Sequence, residues 1–227
     1  MLALLYDVHG NLPALETVLD DARSRGASRF VLGGDYALFG PWPLETVTRL
    51  RELDAVWIRG NGERWTATPA EAPPETHDAI AACREALGDD EVARLAALPE
   101  THRAGTTAYW HGSPVADVRS FMPTPADDEP ELLEGVGDYR LVFGHTHLPF
   151  RRISLCCGRP IELVNPGSVG MPLDGDPRAG YALVAPDGGV EHRRLPYDHA
   201  ASAAAVRDRF EGEWTATIAR RIEEARF

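Results

Sequence analysis

Seven side chains of metal-binding type stand out in this sequence, because each follows a short apolar run. They are two aspartates, four histidines and one asparagine: Asp7, His9, Asp35, Asn61, His111, His145 and His147. Carboxylate, imidazole and amide donors without a thiolate suit Mn, Fe, Zn, Co or Ni. Seven donors exceed what one ion needs, but they suit two ions ~3.5–4 Å apart that share a water and lower its pKa to about 7. Such a pair of divalent ions could supply hydroxide at neutral pH and bind two phosphoryl oxygens of a phosphate ester.

The candidate ligands lie at the ends of five predicted strands. Each run is short, rich in branched or aromatic residues, and closed by glycine or a polar residue. The runs are 2–6, 30–34, 55–60, 107–110 and 140–144. In open α/β sheets ligands gather beyond the carboxyl ends of the strands, so strands that share one sheet would bring all seven side chains to one rim. Asp7 and His9 lie two residues apart, as do His145 and His147, and extended backbone would aim both members of each pair to the same side.

The first half of the chain alternates strands with helices. Residues 12–22 have helical apolar spacing, with Asn11 and Pro13 at the start. Further helices are expected near 44–53, 77–87 and 89–97, and residues 66–76 are expected to form a loop. The order strand–helix–strand–helix–strand favours a parallel sheet with right-handed crossovers.

The second half of the chain differs from the first, because short predicted strands follow one another before a C-terminal helix. Four short runs beyond His147 predict antiparallel strands in a second sheet: 150–156, 160–164, 180–184 and 190–195. Apolar residues at every fourth position from Val206 to Ile222 predict one amphipathic helix. The acidic, proline-rich stretch 123–130 is expected to be a flexible rim or lid. Residues 1–227 are expected to form a single domain.

The composition limits the possible partners. The 227 residues carry a net charge of −12, and an acidic surface repels nucleic-acid backbones. We therefore expect a small phosphorylated substrate, because bound metal ions would reverse the local charge, and no nucleic acid. No apolar run approaches the ~20 residues of a membrane helix and no signal peptide is recognised, so a cytoplasmic protein that does not engage membranes is expected.

Two residue types exclude further kinds of chemistry. All 23 basic side chains are arginine, so no Schiff-base or P-loop lysine is available. The three cysteines, Cys83, Cys156 and Cys157, are odd in number and lack CxxC spacing, which argues against a disulfide framework and a zinc ribbon. The adjacent pair is expected to pack rather than to react.

Five motifs, in this order, resemble those of the calcineurin-like metallophosphoesterase family. They are Asp-x-His at 7–9, Gly-Asp at 34–35, Gly-Asn at 60–61, His-Gly at 111–112 and Gly-His-Thr-His at 144–147. The similarity is greatest to the small bacterial and archaeal phosphodiesterase branch, which the Asn-Pro-Gly-Ser-Val-Gly segment at 165–170 also resembles. The resemblance covers most of the chain. It implies an α/β fold, a four-layer α/β/β/α sandwich with two mixed sheets.

The resemblance also implies a role for each motif residue. The first metal ion would be held by Asp7, His9 and His147, and the second by Asn61, His111 and His145. Asp35 would bridge the two ions, which are expected to be manganese, with Fe, Zn, Ni or Co as alternatives. Asn61 and His111 would be the catalytic residues, with Asn61 also touching the substrate phosphate. Candidate substrate-binding residues are Asn11, Gly62 and Arg178, the last on a predicted solvated turn at 174–178.

One position departs from the family pattern. The family has Gly-Asn-His-Asp or Gly-Asn-His-Glu after the third strand, and this branch can have Cys at the histidine, whereas this chain has Gly60-Asn61-Gly62-Glu63. In the family that histidine binds phosphate or protonates the leaving group, and loss of a general acid costs roughly 10²–10⁴ in rate. We hypothesise that the substrate has a good leaving group, or that Glu63, Tyr36 or a substrate group supplies the proton. If Gly62→His left turnover of a substrate with a poor leaving group unchanged, the missing acid would not matter.

Simpler interpretations exist for single residues. An Asp or Asn after a strand is often only a helix cap, and a lone histidine is more often a core or surface residue than a ligand. The other histidines are expected at the surface: His77, His102, His192 and His199. Trp42 and Trp65 are expected in the core, although either could stack on a base or aryl group.

Three functions are compatible with these residues. The first is a dinuclear metal-dependent phosphoesterase, acting chiefly on diesters through a hydroxide that bridges the ions. The second is a binding scaffold of the same fold whose catalysis has decayed, which Gly62 favours and the intact ligand set opposes. The third is a nuclease of the same superfamily, which the acidic charge opposes.

Overall fold

The computed structural model describes residues 1–156 and 158–227, and it contains two mixed five-stranded sheets. The strands are β1 (Leu2–Leu5), β2 (Arg29–Leu32), β3 (Ala55–Trp57), β4 (Thr101–Ala104), β5 (Thr107–Trp110), β6 (Arg140–Val142), β7 (Phe150–Cys156), β8 (Arg159–Asn165), β9 (Ala179–Val184) and β10 (Val190–Leu195). The helices are α1 (Leu12–Ser24), α2 (Pro43–Leu50), α3 (Asn61–Ala67), α4 (His77–Leu87), α5 (Asp89–Ala96), α6 (Glu129–Leu132), α7 (His199–Arg209) and α8 (Trp214–Glu224). Cys157, predicted above to pack, lies outside the described residues.

The first sheet contains the parallel strands predicted for the start of the chain. Its order is β10-β9-β1-β2-β3, with β1, β2 and β3 parallel. The helices α1 and α2 are the crossovers, and α1 begins where the Asn11 side chain accepts a hydrogen bond from the N–H of Ala14. Strand β9 is antiparallel to β1, and β10 is antiparallel to β9, so the sheet is mixed.

The second sheet corrects the predicted strand grouping. Its order is β4-β5-β6-β8-β7, in which β5, β6 and β8 are parallel. The five strands that precede the ligands therefore do not share one sheet, because β1, β2 and β3 belong to the first and β5 and β6 to the second. The four strands after His147 are also divided: β7 and β8 extend the second sheet, whereas β9 and β10 extend the first. Strands β8 and β9 are buried along most of their length, as expected for interior strands.

Three apolar layers separate the elements. Helix α1 packs on the outer face of the first sheet through Leu15, Val18 and Leu19. A second core, which includes Tyr6 and Val142, lies between the two sheets. A third covers the outer face of the second sheet with residues such as Phe121, Leu132 and Leu133. The predicted four-layer α/β/β/α sandwich is confirmed, with an outer layer on the second sheet that has a single short helix, α6, among the described residues.

The C-terminal segment is two helices rather than the predicted one. Phe210 has extended backbone (φ −131°, ψ 153°) and Gly212 is left-handed (φ 108°), so the chain reverses between α7 and α8. Apolar residues still recur at every fourth position because both helices contribute to one small core, which includes Val206, Ile218 and Ile222. Among the helices of the described residues, none has the length and hydropathy that a membrane crossing requires.

The acidic stretch predicted as a flexible lid is tied to the second sheet. Arg119 donates to Glu131 at 2.7 Å and to Asp128 at 3.1 Å. Glu129 is buried and accepts hydrogen bonds from Arg152 of β7. These ion pairs hold the segment in place, so the lid prediction receives no support.

Candidate metal centre

The seven predicted ligands meet where β1, β2, β3, β5 and β6 end. Six of them are buried, with exposed fractions of 6% or less, and His145 is partly exposed. The strands of the two sheets thus place carboxylates, imidazoles and one amide together in a largely buried site.

Two groups of side chains have donor atoms close enough to hold a metal ion. The first is Asp7, His9 and His147, and the second is Asp7, Asp35 and His111; within each, the donor atoms lie within 4.8 Å of one another. Asp35 faces both groups, because its Oδ2 lies 3.8 Å from His9 Nε2 and its Oδ1 lies 3.5 Å from His111 Nε2. Asp7 belongs to both groups, and Asp35 has one oxygen on each side, so either carboxylate is placed to bridge two ions.

Asn61 and His145 complete the second group. The Asn61 Oδ1 lies 2.9 Å from His111 Nε2 and 2.9 Å from His145 Nδ1. Asn61 is the first residue of α3 and follows Gly60, which ends the segment after β3. His145 N–H also donates to Asp7 Oδ2 at 3.1 Å, which links the β6 loop to the β1 loop.

The arrangement of donors fits metal ions. Three imidazoles direct Nδ1 to a backbone carbonyl: His9 to Leu38 and His111 to Gly33, each at 2.8 Å, and His147 to Met171. Such bonds fix the tautomer in which Nε2 carries a lone pair. His9 Nε2 then faces His147 Nε2 at 3.2 Å, an arrangement of two lone pairs that is repulsive unless a cation lies between them. The donor set therefore suits divalent transition-metal ions.

Burial is the largest influence on the pKa values of four ligands at this site. It raises the pKa of Asp7 to about 8, against an opposing effect of His111 and a reinforcing effect of Asp35. Burial likewise raises the pKa of Asp35. It lowers the pKa of His145 to about 3 and also lowers the pKa of His147. Carboxylates and imidazoles alike are thus driven toward neutral forms, a tendency that bound cations would reverse for the carboxylates.

The backbone at the ligands is left-handed, which corrects the prediction of extended backbone. Five ligands have positive φ: Asp7 (54°), His9 (47°), Asp35 (56°), His145 (66°) and His147 (60°). Each such non-glycine residue costs roughly 1–2 kcal/mol. Hydrogen bonds between neighbouring loops hold the conformation, as when His9 N–H donates to the Asp35 carbonyl at 2.8 Å. The side chains of Asp7 and His9 are therefore aimed by a tight turn rather than by strand alternation.

The segment 165–170, singled out by its motif, positions ligand loops. Asn165 is buried and donates to the Gly144 carbonyl at 3.2 Å, and buried Ser168 donates to the Asp7 carbonyl at 2.7 Å. His192, predicted at the surface, is partly buried, and its Nε2 lies 2.8 Å from the Asn165 carbonyl oxygen. These supporting residues lie far from the ligands in sequence, and only the resemblance at 165–170 pointed to any of them.

Comparison with known proteins identifies the chain. Residues 1–189 match the model of the calcineurin-like phosphoesterase superfamily domain. The chain belongs to the calcineurin-like phosphoesterase superfamily. The predicted family is thus confirmed.

The chain is similar to other proteins over more than four fifths of its length. A metallophosphoesterase from Sphaerobacter thermophilus has a similar structure (TM-score 0.84, 26% identity, 98% of each chain covered). Phosphodiesterase YfcE of Escherichia coli K12 is 29% identical over 201 residues, which are 82% of this chain and 89% of YfcE. The uncharacterized protein MJ0912 of Methanocaldococcus jannaschii is 28% identical over 220 residues, which are 87% of this chain and 88% of that protein.

Asn11, a predicted substrate-binding residue, makes its contacts within the chain itself. The buried Asn11 side chain donates to the Gly170 carbonyl at 2.8 Å and to the Tyr197 hydroxyl at 3.0 Å. It accepts from Ser202 at 3.1 Å, as well as from the helix that it caps. These contacts favour a capping and tethering role over the predicted contact with substrate.

The other two predicted substrate residues lie in different surroundings. Arg178 is exposed, and its guanidinium pairs with Asp176 at 2.6 Å, as the predicted solvated turn would place it. Gly62 lies at the centre, since its N–H donates to Asp35 Oδ1 at 2.7 Å. A Cβ at position 62 would lie 2.8 Å from that oxygen, so this chain has little room for a side chain there.

The two proposed replacements for the missing histidine are engaged elsewhere. Glu63 is buried and accepts hydrogen bonds from the backbone N–H groups of Asp35 (2.9 Å), Tyr36 (2.8 Å) and Gly60 (2.8 Å). Burial, followed by the charge of Asp35, raises the pKa of Glu63 to about 7. The Tyr36 hydroxyl is buried between backbone groups of Leu32 and Ile58. Both side chains therefore hold loops together and do not face the ligand atoms as proton donors.

Proposed function

We propose that this protein hydrolyses small phosphodiesters with two divalent transition-metal ions, manganese being the expected metal. The seven ligands would hold the ions as predicted, with Asp35 between them. The observation that supports this most strongly is the convergence of imidazole Nε2 atoms and carboxylate oxygens from both sheets into two adjacent groups. The name of the relative YfcE, a phosphodiesterase, supports diesters as the substrate class.

The ions would supply a nucleophile at neutral pH and neutralise charge on the phosphate. Asn61 directs its Oδ1 toward two imidazoles, which leaves its Nδ2 hydrogens for a phosphate oxygen. His145 is the partly exposed member of the set, and it marks the side from which a substrate could approach. The burial of the other ligands excludes bulk water and strengthens each electrostatic contact.

The leaving group has to depart without help from a side chain at position 62. Glu63 and Tyr36 are bound to backbone groups, so neither replaces the absent histidine. We therefore expect an ester whose leaving group is stable as an anion, since general acid catalysis contributes roughly 10²–10⁴ only where a proton is needed.

The first test is metal analysis of the purified protein, followed by hydrolysis of bis-p-nitrophenyl phosphate and p-nitrophenyl phosphate with each divalent metal and with EDTA. The expected result is Mn²⁺-dependent hydrolysis with a preference for the diester. Asp35→Asn should lower kcat/KM by more than about 100-fold, beyond the loss typical of a residue that only supports a ligand. The matched control is Asp20→Asn on the exposed side of α1, which should leave activity unchanged.

Gly62 keeps a second candidate open, a scaffold of this fold that binds a partner without catalysis. The two are separated by activity at full metal occupancy. If the protein binds two ions yet hydrolyses no phosphate ester with any divalent metal, the scaffold is favoured and the enzyme proposal is wrong.

A further inference from the structure

A shallow groove of about 540 Å³, open to solvent, adjoins the candidate metal centre at His145. We call it the aromatic groove; its apolar lining residues are Trp65, Ala72, Pro73 and Val118, and His145 also lines it. Val118 is 41% exposed. Trp65, predicted in the core, does pack against the core of the first sheet, but it is only partly buried. Apolar surface is therefore accessible beside a predicted ligand. Concave apolar surface next to convergent polar groups is typical of a substrate subsite.

Helix α3 connects the groove to the centre. Asn61, whose amide oxygen faces His111 and His145, begins the helix, and Trp65 follows four residues later. Residues at i and i+4 lie on the same face of a helix. One short helix therefore presents a predicted metal ligand at its start and an indole one turn further along the same face.

Charged residues also line the groove, and their one arginine, Arg64, is already paired with carboxylates. Arg64 donates to both oxygens of Asp117 at 2.7 Å and to Glu71 at 2.7 Å. Arg64 and Glu71 both line the groove, and with Asp117 the three groups sum to one negative charge. Such a lining opposes a second phosphate or a carboxylate, and it favours a neutral ring that can stack on Trp65.

From these features we propose that the aromatic groove binds the aromatic group of an aryl phosphodiester. The inference rests on the proposed function and specifies its substrate class. It also accounts for Gly62. When water adds to phosphorus, the bond from phosphorus to the aryl oxygen breaks and the aryl oxide leaves with the bonding pair. Since an aryl oxide is stable as an anion, the side-chain acid that this chain lacks is not required, and the proton of the attacking water passes to solvent.

Two phosphonates that share one head group test the groove directly. Calorimetry of the Mn²⁺-loaded protein gives the dissociation constants of phenylphosphonate and methylphosphonate, and competition against bis-p-nitrophenyl phosphate gives their inhibition constants. We expect phenylphosphonate to bind about tenfold tighter, which is the size of one good aromatic stacking contact. Trp65→Leu should remove most of that preference, Trp65→Phe should keep most of it, and neither should change the affinity for methylphosphonate.

Two further variants control for loss of an aromatic ring elsewhere and for poor folding of Trp65→Leu. Phe227→Leu removes an aromatic ring that is 82% exposed and lies outside the groove, so it should leave the preference unchanged. Val118→Glu adds a negative charge to an exposed position on the groove wall and should lower the preference even if Trp65→Leu folds poorly. Equal affinity for the two phosphonates in the unaltered protein, or a preference that neither Trp65→Leu nor Val118→Glu lowers, overturns the inference.

The test also separates this inference from the proposed function. If the protein hydrolyses bis-p-nitrophenyl phosphate but binds phenylphosphonate no tighter than methylphosphonate, the aryl-binding role of the groove is wrong. The phosphodiesterase proposal then stays in place. A phenyl preference that depends on Trp65, in a protein that hydrolyses no ester, overturns the function and supports the groove.

Discussion

Replacing Gly62 by alanine should weaken metal binding without unfolding the protein. A Cβ at this position would lie 2.8 Å from Asp35 Oδ1 and 3.1 Å from Asp35 Cγ, whereas ordinary contacts begin near 3.4 Å. Asp35 or the start of α3 therefore has to move by about 0.6 Å. Metal–ligand distances tolerate only about 0.2 Å, so the displacement is about three times what a bridging carboxylate can absorb.

The substitution affects the stability of helix α3 and the affinity for metal in opposite directions. Alanine is the better helix former by about 1 kcal/mol, which would stabilise α3 in the metal-free protein. Displacement of a ligand by its neighbour typically costs 10–100-fold in metal affinity, or about 1.4–2.7 kcal/mol. Because crowding of a filled site costs about 1–3 kcal/mol, the metal-free protein should lose no more than about 2 kcal/mol of stability, while the Mn²⁺ concentration for half-maximal activity rises by 10–100-fold.

The assay is Mn²⁺ titration of bis-p-nitrophenyl phosphate hydrolysis, together with thermal unfolding in EDTA and in Mn²⁺. Gly137→Ala is the matched control, because a Cβ there meets no atom within 4 Å among the described residues. A half-saturating Mn²⁺ concentration within twofold of the unaltered protein would refute the steric argument. Gly62→His places the same Cβ beside Asp35, so its metal content has to be measured before its turnover can be interpreted.

Three further outcomes are expected. Glu63→Gln should lower the free energy of unfolding by about 1–3 kcal/mol, because one of three backbone N–H groups loses its acceptor; urea unfolding with exposed Glu134→Gln as control checks this. In EDTA the protein should lose stability from pH 6.5 to 8, by up to about 1.4 kcal/mol per pH unit. The reason is that burial raises the pKa of Asp7 to about 8, so the folded state keeps a proton that the unfolded chain has released. The lowered pKa of His145 acts only below its ordinary value of 6.5, and it costs stability as the pH falls. A melting temperature that rises between pH 6.5 and 8 in EDTA would contradict this assignment. Mn²⁺ at 100 times its dissociation constant should stabilise the protein by about 2.7 kcal/mol, and no shift in melting temperature would count against a metal site.

The donor set and the strand ends were predictable because they depend on local residue types. Five apolar runs and the residues that follow them identified the strands at the site, and the structure brings all seven predicted ligands together. That these residues bind metal stays a prediction. Helix α3 was missed because Gly62 and Asn61 are weak helix formers, yet Glu63 gave a signal: an acidic residue three positions after Gly60 can accept the N–H at a helix start.

Strand pairing was not predictable, because it depends on contacts between distant parts of the chain. Leu2 of β1 pairs with Val184 of β9, and nothing in either short run identifies the partner. The left-handed backbone at the ligands was likewise hidden, since hydrogen bonds from neighbouring loops impose it on residues that prefer other conformations. The break before Trp214 was obscured because two helices that share one core continue the same apolar spacing.

The ligands come from both sheets, which ties the separation of any two bound ions to how closely the sheets pack. Val142 and Tyr6 sit in the layer between them, and the Tyr6 hydroxyl contacts the Val142 carbonyl across it. A larger side chain in this layer would push the β1 and β6 ends apart and lengthen the distances between donors that come from different sheets. Residues of this layer that touch none of the seven donors would in this way set the size of the proposed metal centre.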